Sequence, residues 1–241
     1  MVVQIVRHAD GAVVGQSFYN RTKESEKPCL AQLVRESGVQ NQQITADALH
    51  LHPKLTQGIH KDGGTFENNQ KELLEDMVQH TKTAKPKMQH KTTEKGHGRL
   101  ETRHYTCFDI RDEYFDPRWN KSGFSSLIRV QRIRTVLKTN ETSEETAYYI
   151  SNGKSENAPA YFTAVRKHRS IEVNNHYRDV SLREDQLRTK ETSITQVMAS
   201  IRTPVLMLLR QWNPKNLIAQ MEYFQDNFDE LIAALKKIRF L

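Results

Sequence analysis

Strands first and helices after, with a crossover early, predict an α/β or α+β domain with a partly parallel sheet, and three patterns carry that expectation. Apolar and polar residues alternate at period two near the N-terminus and again in the middle of the chain. A helical stretch lies between the first strands and the next. From residue 158 onward the apolar spacing is helical almost throughout. The 241 residues suffice for one good core. Two cysteines, Cys29 and Cys107, form no CxxC pair and no zinc spacing, which points to a reducing compartment, and the cytoplasm is the expectation. No apolar run reaches membrane-spanning length and the N-terminus has no signal-peptide centre, so no membrane partner is expected. Lys and Arg number 36 against 29 Asp and Glu, a net charge of +7 that suits a polyanionic partner without proving one.

In order along the chain, residues 2–6 and 12–15 read as two strands joined at Asp10-Gly11, a hairpin-turn dipeptide. Residues 26–37 read as a helix with Pro28 near its start and Gly38 as its stop, and residues 43–47 as the next strand. That order implies a crossover within one sheet. Helices follow at 53–61, closed by Gly63-Gly64, and at 69–79. Residues 80–98, rich in Lys, Thr and His with almost no apolar anchor, read as a loop or flexible arm. Strands are expected through 105–110, 126–134 and 145–150. Within the helical remainder, 183–191 reads as a loop, Pro204 as a kink or split in 194–210, and 217–238 as one amphipathic stretch carrying Phe228, Leu231, Ile232 and Leu235.

Two acids stand out. Asp47 closes the strand 43–47, the place where open α/β sheets keep ligands, although a strand-end Asp also caps the following helix. Glu172 shares a helix face with His168, Arg169, Asn175 and His176. That face reads either as a solvated surface or as a carboxylate able to hold a divalent metal beside a phosphate. Around it crowd Arg166, Lys167, Arg169, Arg178, Arg183, Arg188 and Lys190, a setting for salt-sensitive DNA binding.

Several words recur in one family in this order: Ile44-Thr-Ala-Asp-Ala-Leu-His50, Gly63-Gly64 with Asn69-Gln70, His97-Gly-Arg-Leu-Glu-Thr-Arg103, Arg166-Lys-His168 with Ile171-Glu172, and Glu184-Asp185. The chain resembles the DDE transposases of bacterial insertion sequences, in the branch of the H-repeat-associated proteins, from about residue 2 to its end. The resemblance implies an RNase H-like mixed sheet flanked by helices over residues 1–210, with 211–241 as a C-terminal helical extension packed on it. It implies Mg²⁺ or Mn²⁺ held by Asp47 as the family's second acid and Glu172 as its third, catalysing phosphodiester cleavage and strand transfer in transposition, a form of DNA recombination. DNA contacts are implied for Arg166, and Lys167, Arg169, Arg99 and Arg103 are expected beside it. The partners would be transposon ends and target DNA, in a bacterial, nucleoid-associated setting, with a homodimer as a further expectation.

The chain also departs from the family pattern. The family's first Asp belongs to an Asp-Gly-Lys word upstream of the first hairpin, and this sequence has none. The strand after Gly64 is reduced to Thr65-Phe66-Glu67-Asn68, Arg169 stands where the family favours Trp, and one residue fewer separates His176 from Asp179. These departures make a truncated or inactive copy the expectation, or a catalytically dead DNA-binding protein derived from one.

Overall fold

A computed structural model describes residues 2–9, 11–19, 23–38, 43–46, 51–59, 64–67, 70–110, 117–186, 189, 191–212 and 216–237. The chain forms two compact units, residues 34–168 and residues 1–33 with 169–241.

The unit 34–168 is built on a six-stranded mixed sheet. Its strands are β3 (Ile44–Ala46), β4 (Gly64–Glu67), β5 (Met88–Gly96), β6 (Arg99–Asp109), β7 (Ser126–Val136) and β8 (Thr142–Ser151), in the order β3-β4-β8-β7-β6-β5. All neighbours are antiparallel except β3 and β4, which are parallel and joined through α2 (Pro53–Gly58). Strands β5 to β8 form a meander. The β5–β6 turn is His97-Gly98, both with positive φ (48° and 72°), as a two-residue hairpin of right-handed twist requires.

Alternation assigns the two faces of this sheet. On one face Tyr105, Cys107, Ile128, Val130 and Tyr149 pack with Ala158, Tyr161, Phe162 and Val165 of α4 (Ala158–His176). Tyr105 and Phe162 lie 5.2 Å apart, ring to ring. The register turns Phe66, Phe108, Leu127 and Ile150 to the opposite face, where each is almost wholly buried. Leu55 of α2, and Leu73 and Met77 of α3 (Lys71–Thr83), are buried equally deeply. Burial on both faces keeps the central strands apolar.

The other unit carries a hairpin, β1 (Val2–Val6) with β2 (Val13–Phe18), most of α1 (Lys23–Glu36), and the C-terminal helices α5 (Thr192–Gln211), α6 (Leu217–Asp226) and α7 (Phe228–Lys237). Hairpin and α5 are tied by polar side chains: Gln4 donates to Thr203 at 3.0 Å, and Thr203 donates to Gln16 at 2.9 Å. Leu206, Leu209, Leu217 and Phe224 make a second core, with Trp212 edge-on to Phe224. Beyond α4 the backbone widens into a π-turn over Tyr177–Ser181, where buried Arg178 forks onto both oxygens of Glu184 at 2.7 and 2.9 Å.

Four expectations need correction. The opening hairpin is a separate two-stranded sheet, so the crossover is β3–α2–β4 and not β2–α1–β3. Alternation shows that a strand has a buried face but not which sheet it joins. Residues 80–98 are not a loop, because α3 runs to Thr83 and β5 pairs with β6 at nine positions. β5 is an edge strand, where pairing supplies the stability and polar residues discourage association. Pro204 does not split the segment, because α5 runs unbroken from Thr192 to Gln211 with the proline inside it. In place of one stretch over 217–238, the described residues 217–237 form two helices divided at Asn227, whose side chain donates to the Tyr223 carbonyl at 2.8 Å and closes α6. The short strand after Gly64 persists as β4, paired on both edges.

Candidate functional site

Beyond the apolar cluster under α4, the same face of the sheet becomes charged. The register that places Tyr105 and Val130 inward also places Glu101 and Arg103 of β6, Arg132 and Arg134 of β7, Glu145 of β8 and Glu94 of β5 on this face. Two of the directly opposed pairs are alike in sign, Arg103 against Arg132 and Glu94 against Glu101, and two are opposite, Glu101 against Arg134 and Arg132 against Glu145. Like charges facing each other destabilise a sheet. The opposite-sign pairs and one diagonal, Arg103 to Glu94, offset the repulsion. Arg103 Nη1 donates to Glu94 Oε2 at 3.2 Å and pairs through Nη2 with Glu101, while Arg134 Nε donates to the other oxygen of Glu101 at 2.9 Å. Arg132 pairs with Glu145 across the strands, and Arg166 reaches down from α4 to Glu94.

Four guanidiniums thus meet three carboxylates. Arg103 and Arg132 are only 6 % and 7 % exposed, and Arg132 Nη1 is a buried donor with no acceptor. Partial burial of Glu94 raises its carboxyl pKa, but the Arg103 hydrogen bond and the Arg166 charge outweigh that and hold it below the ordinary value. Burial likewise raises the Tyr105 phenol, against the opposing charge of Arg103.

A second polar contact lies on this face. His168 of α4, 8 % exposed, shares a hydrogen bond of 2.9 Å between its Nδ1 and the Thr45 hydroxyl of β3. The bond ties the short strand preceding Asp47 to the helix that goes on to Glu172.

Of the residues singled out from the sequence, Asp47 lies outside the described residues. For Arg169 and Glu172 the structure describes the α4 backbone and not the side chains. Arg166 and Lys167 are exposed on α4, Arg99 is exposed at the start of β6, and Arg103 is buried in the charged lattice. Arg103 and Arg166 meet at one oxygen of Glu94. The sequence reading missed Glu94, Arg132, Arg134 and Glu145. For Arg132 and Arg134 the signal was charge at period two, as in Arg99, Glu101 and Arg103; Glu94 was obscured by reading β5 as a loop. Among the described residues no group of three or more His, Cys, Asp and Glu is placed to hold a metal, and no helix is long and apolar enough to cross a membrane. No protein-family model, curated protein or solved structure matches the chain.

Proposed function

We propose that the chain is a DNA-binding protein of the DDE transposase type, with an RNase H-like fold and an active centre around Asp47 and Glu172. The observation that carries the proposal is the Thr45–His168 hydrogen bond. Asp47 follows Thr45 by two residues, and Glu172 follows His168 by one helical turn of α4. The mixed sheet with flanking helices agrees with such a fold at the level of class.

Carboxylates are the hard oxygen donors that Mg²⁺ and Mn²⁺ take, so Asp47 and Glu172 would be the residues to hold the ion. Bound there, a divalent ion supplies activation of water or a 3′-hydroxyl for phosphodiester cleavage and strand transfer. The chain's own contribution is positioning: Arg166 and Lys167 stand exposed one to two turns before Glu172, where a DNA phosphate would meet them.

The test is strand cleavage of DNA bearing candidate element ends, in Mg²⁺ or Mn²⁺, together with thermal stabilisation by Mn²⁺ alone. Native protein should gain in Tm with Mn²⁺, and Asp47→Ala and Glu172→Ala should lose that gain; a copy that keeps activity also cleaves, and a truncated or inactive one does not. Cleavage that survives either substitution removes that acid from the site.

A second reading, DNA binding without catalysis, is favoured by the guanidinium lattice, which forms without either acid. Duplex binding that weakens between low and moderate salt, with no cleavage under any metal, would select it. If affinity shows no fall with salt, or if replacing Arg166 and Arg169 by Ala changes nothing, neither reading stands.

A further inference from the structure

We infer that Arg103 and Arg166 form an oxyanion site for a DNA backbone phosphate, and that Glu94 masks this site from within the chain. The inference rests on the DNA-binding reading and adds a regulator to it. Both guanidiniums contact the same Oε2 of Glu94, Arg103 from the sheet and Arg166 from α4. Two planar donor forks converging on one anionic oxygen are the arrangement that takes a phosphate oxygen.

The three partners differ in how firmly they are held. The Arg103 side chain is 8 % exposed and is tied also to Glu101. The Glu94 side chain is 49 % exposed and stands on edge strand β5, three residues before His97 of the turn. The arginine is therefore the fixed element and the carboxylate the exchangeable one. Behind Arg103, Arg132 presents a buried Nη1 with no acceptor, so the site keeps unused donor capacity and an excess of positive charge. Replacing one carboxylate by one phosphodiester leaves the charge balance unchanged, so the exchange leaves no buried arginine unpaired. Glu94 would thus lower affinity for DNA by competing for two of its contacts.

Fluorescence anisotropy with a labelled duplex of about 20 base pairs, at about 50 and 150 mM salt, tests this. Glu94→Gln keeps the side-chain shape and removes the charge, and should bind about tenfold more tightly than native protein, a gain of about 1.4 kcal/mol. Arg166→Ala should cost about tenfold in the Glu94→Gln background and no more than about threefold in the native one, because only the unmasked arginine is available. Glu94→Asp, which keeps the charge but shortens its reach, should gain about twofold to threefold, and it serves as the test if Glu94→Gln does not fold by circular dichroism. If native protein binds and neither Glu94 variant binds more tightly, or if Arg166→Ala costs the same in both backgrounds, the masking inference is wrong and the DNA-binding reading survives. If native protein and both variants all fail to bind, that reading falls and the inference with it.

Discussion

Where Tyr105, Cys107, Ile128 and Val130 lie beneath Tyr161, Phe162 and Val165, the face of the six-stranded sheet under α4 is closed by apolar contact. A few residues along the same strands, Glu101, Arg103, Arg132 and Arg134 close it by charge. Strand pairing is continuous through both ends, so backbone geometry does not distinguish them. The difference lies in what can exchange. An apolar contact has no competitor in water, whereas a guanidinium held by a half-exposed carboxylate can release it to another anion. The apolar end holds the fold, and under the DNA-binding proposal the charged end is where a polyanion would find prepared partners.

The sharpest way to break that comparison is to remove the apolar end. Phe162 sits 5.2 Å from the Tyr105 ring and 6.2 Å from His90. Phe162→Ala should destabilise the protein by about 3–5 kcal/mol, read by chemical denaturation. The folded fraction should keep the DNA affinity of native protein. A loss below about 1 kcal/mol would mean that the apolar end does not hold the sheet and helix together.

Next in size is the charged end. Arg103→Met keeps the aliphatic bulk but strips Glu101 and Glu94 of their shared partner. Breaking a fully buried pair costs about 3–5 kcal/mol, and the solvent reach of Glu94 brings the expectation down to about 2–3 kcal/mol. In contrast to Phe162→Ala, this substitution should also weaken duplex binding and reduce its dependence on salt. Equal DNA binding by both variants would erase the distinction between the two ends.

These two substitutions also show what could be read from sequence and what could not. Strands β6, β7 and β8 were legible because their buried ends are apolar and their alternation is plain. β5 was not, because an edge strand needs a partner only on one side, and its Thr, Lys and Glu residues carry no apolar period. With β5 taken for a loop, Glu94 had no fixed place. The sequence marks Arg103 and Arg166 as DNA contacts, but their meeting on one oxygen depends on register and on the placement of α4, neither of which a local pattern contains. The hairpin β1–β2 was legible as a hairpin and misassigned to the main sheet for the same reason: partner choice is a tertiary property.

A smaller effect tests whether the β5–β6 edge holds Glu94 in register. Gly98 has φ +72° and open space where a Cβ would stand, so Gly98→Ala meets strain and no clash. The cost should be about 1 kcal/mol in equilibrium unfolding. If the turn sets the position of Glu94, the same variant should raise DNA affinity slightly. A cost near zero would show that the turn adopts another geometry and that the register of this edge is not set there.

The smallest effect concerns protons. The folded-state pKa of Glu94 is lowered from its ordinary value of 4.5, with the Arg103 hydrogen bond and the Arg166 charge overcoming the opposing effect of burial. A group whose pKa is lowered by folding stabilises the native state above its unfolded pKa, and that stabilisation is lost as pH falls through the folded value. Native protein should therefore exceed Glu94→Gln in Tm above about pH 5, and the gap should close as pH drops below 4.5. Added salt should narrow the gap at neutral pH, because the carboxylate is half exposed and its pairing is screened. A gap that stays constant from pH 7 to pH 3 would mean that Glu94 contributes through packing rather than charge. The two ends of the face would then differ less than their residues suggest, and a competing phosphate would have no charge pair to displace.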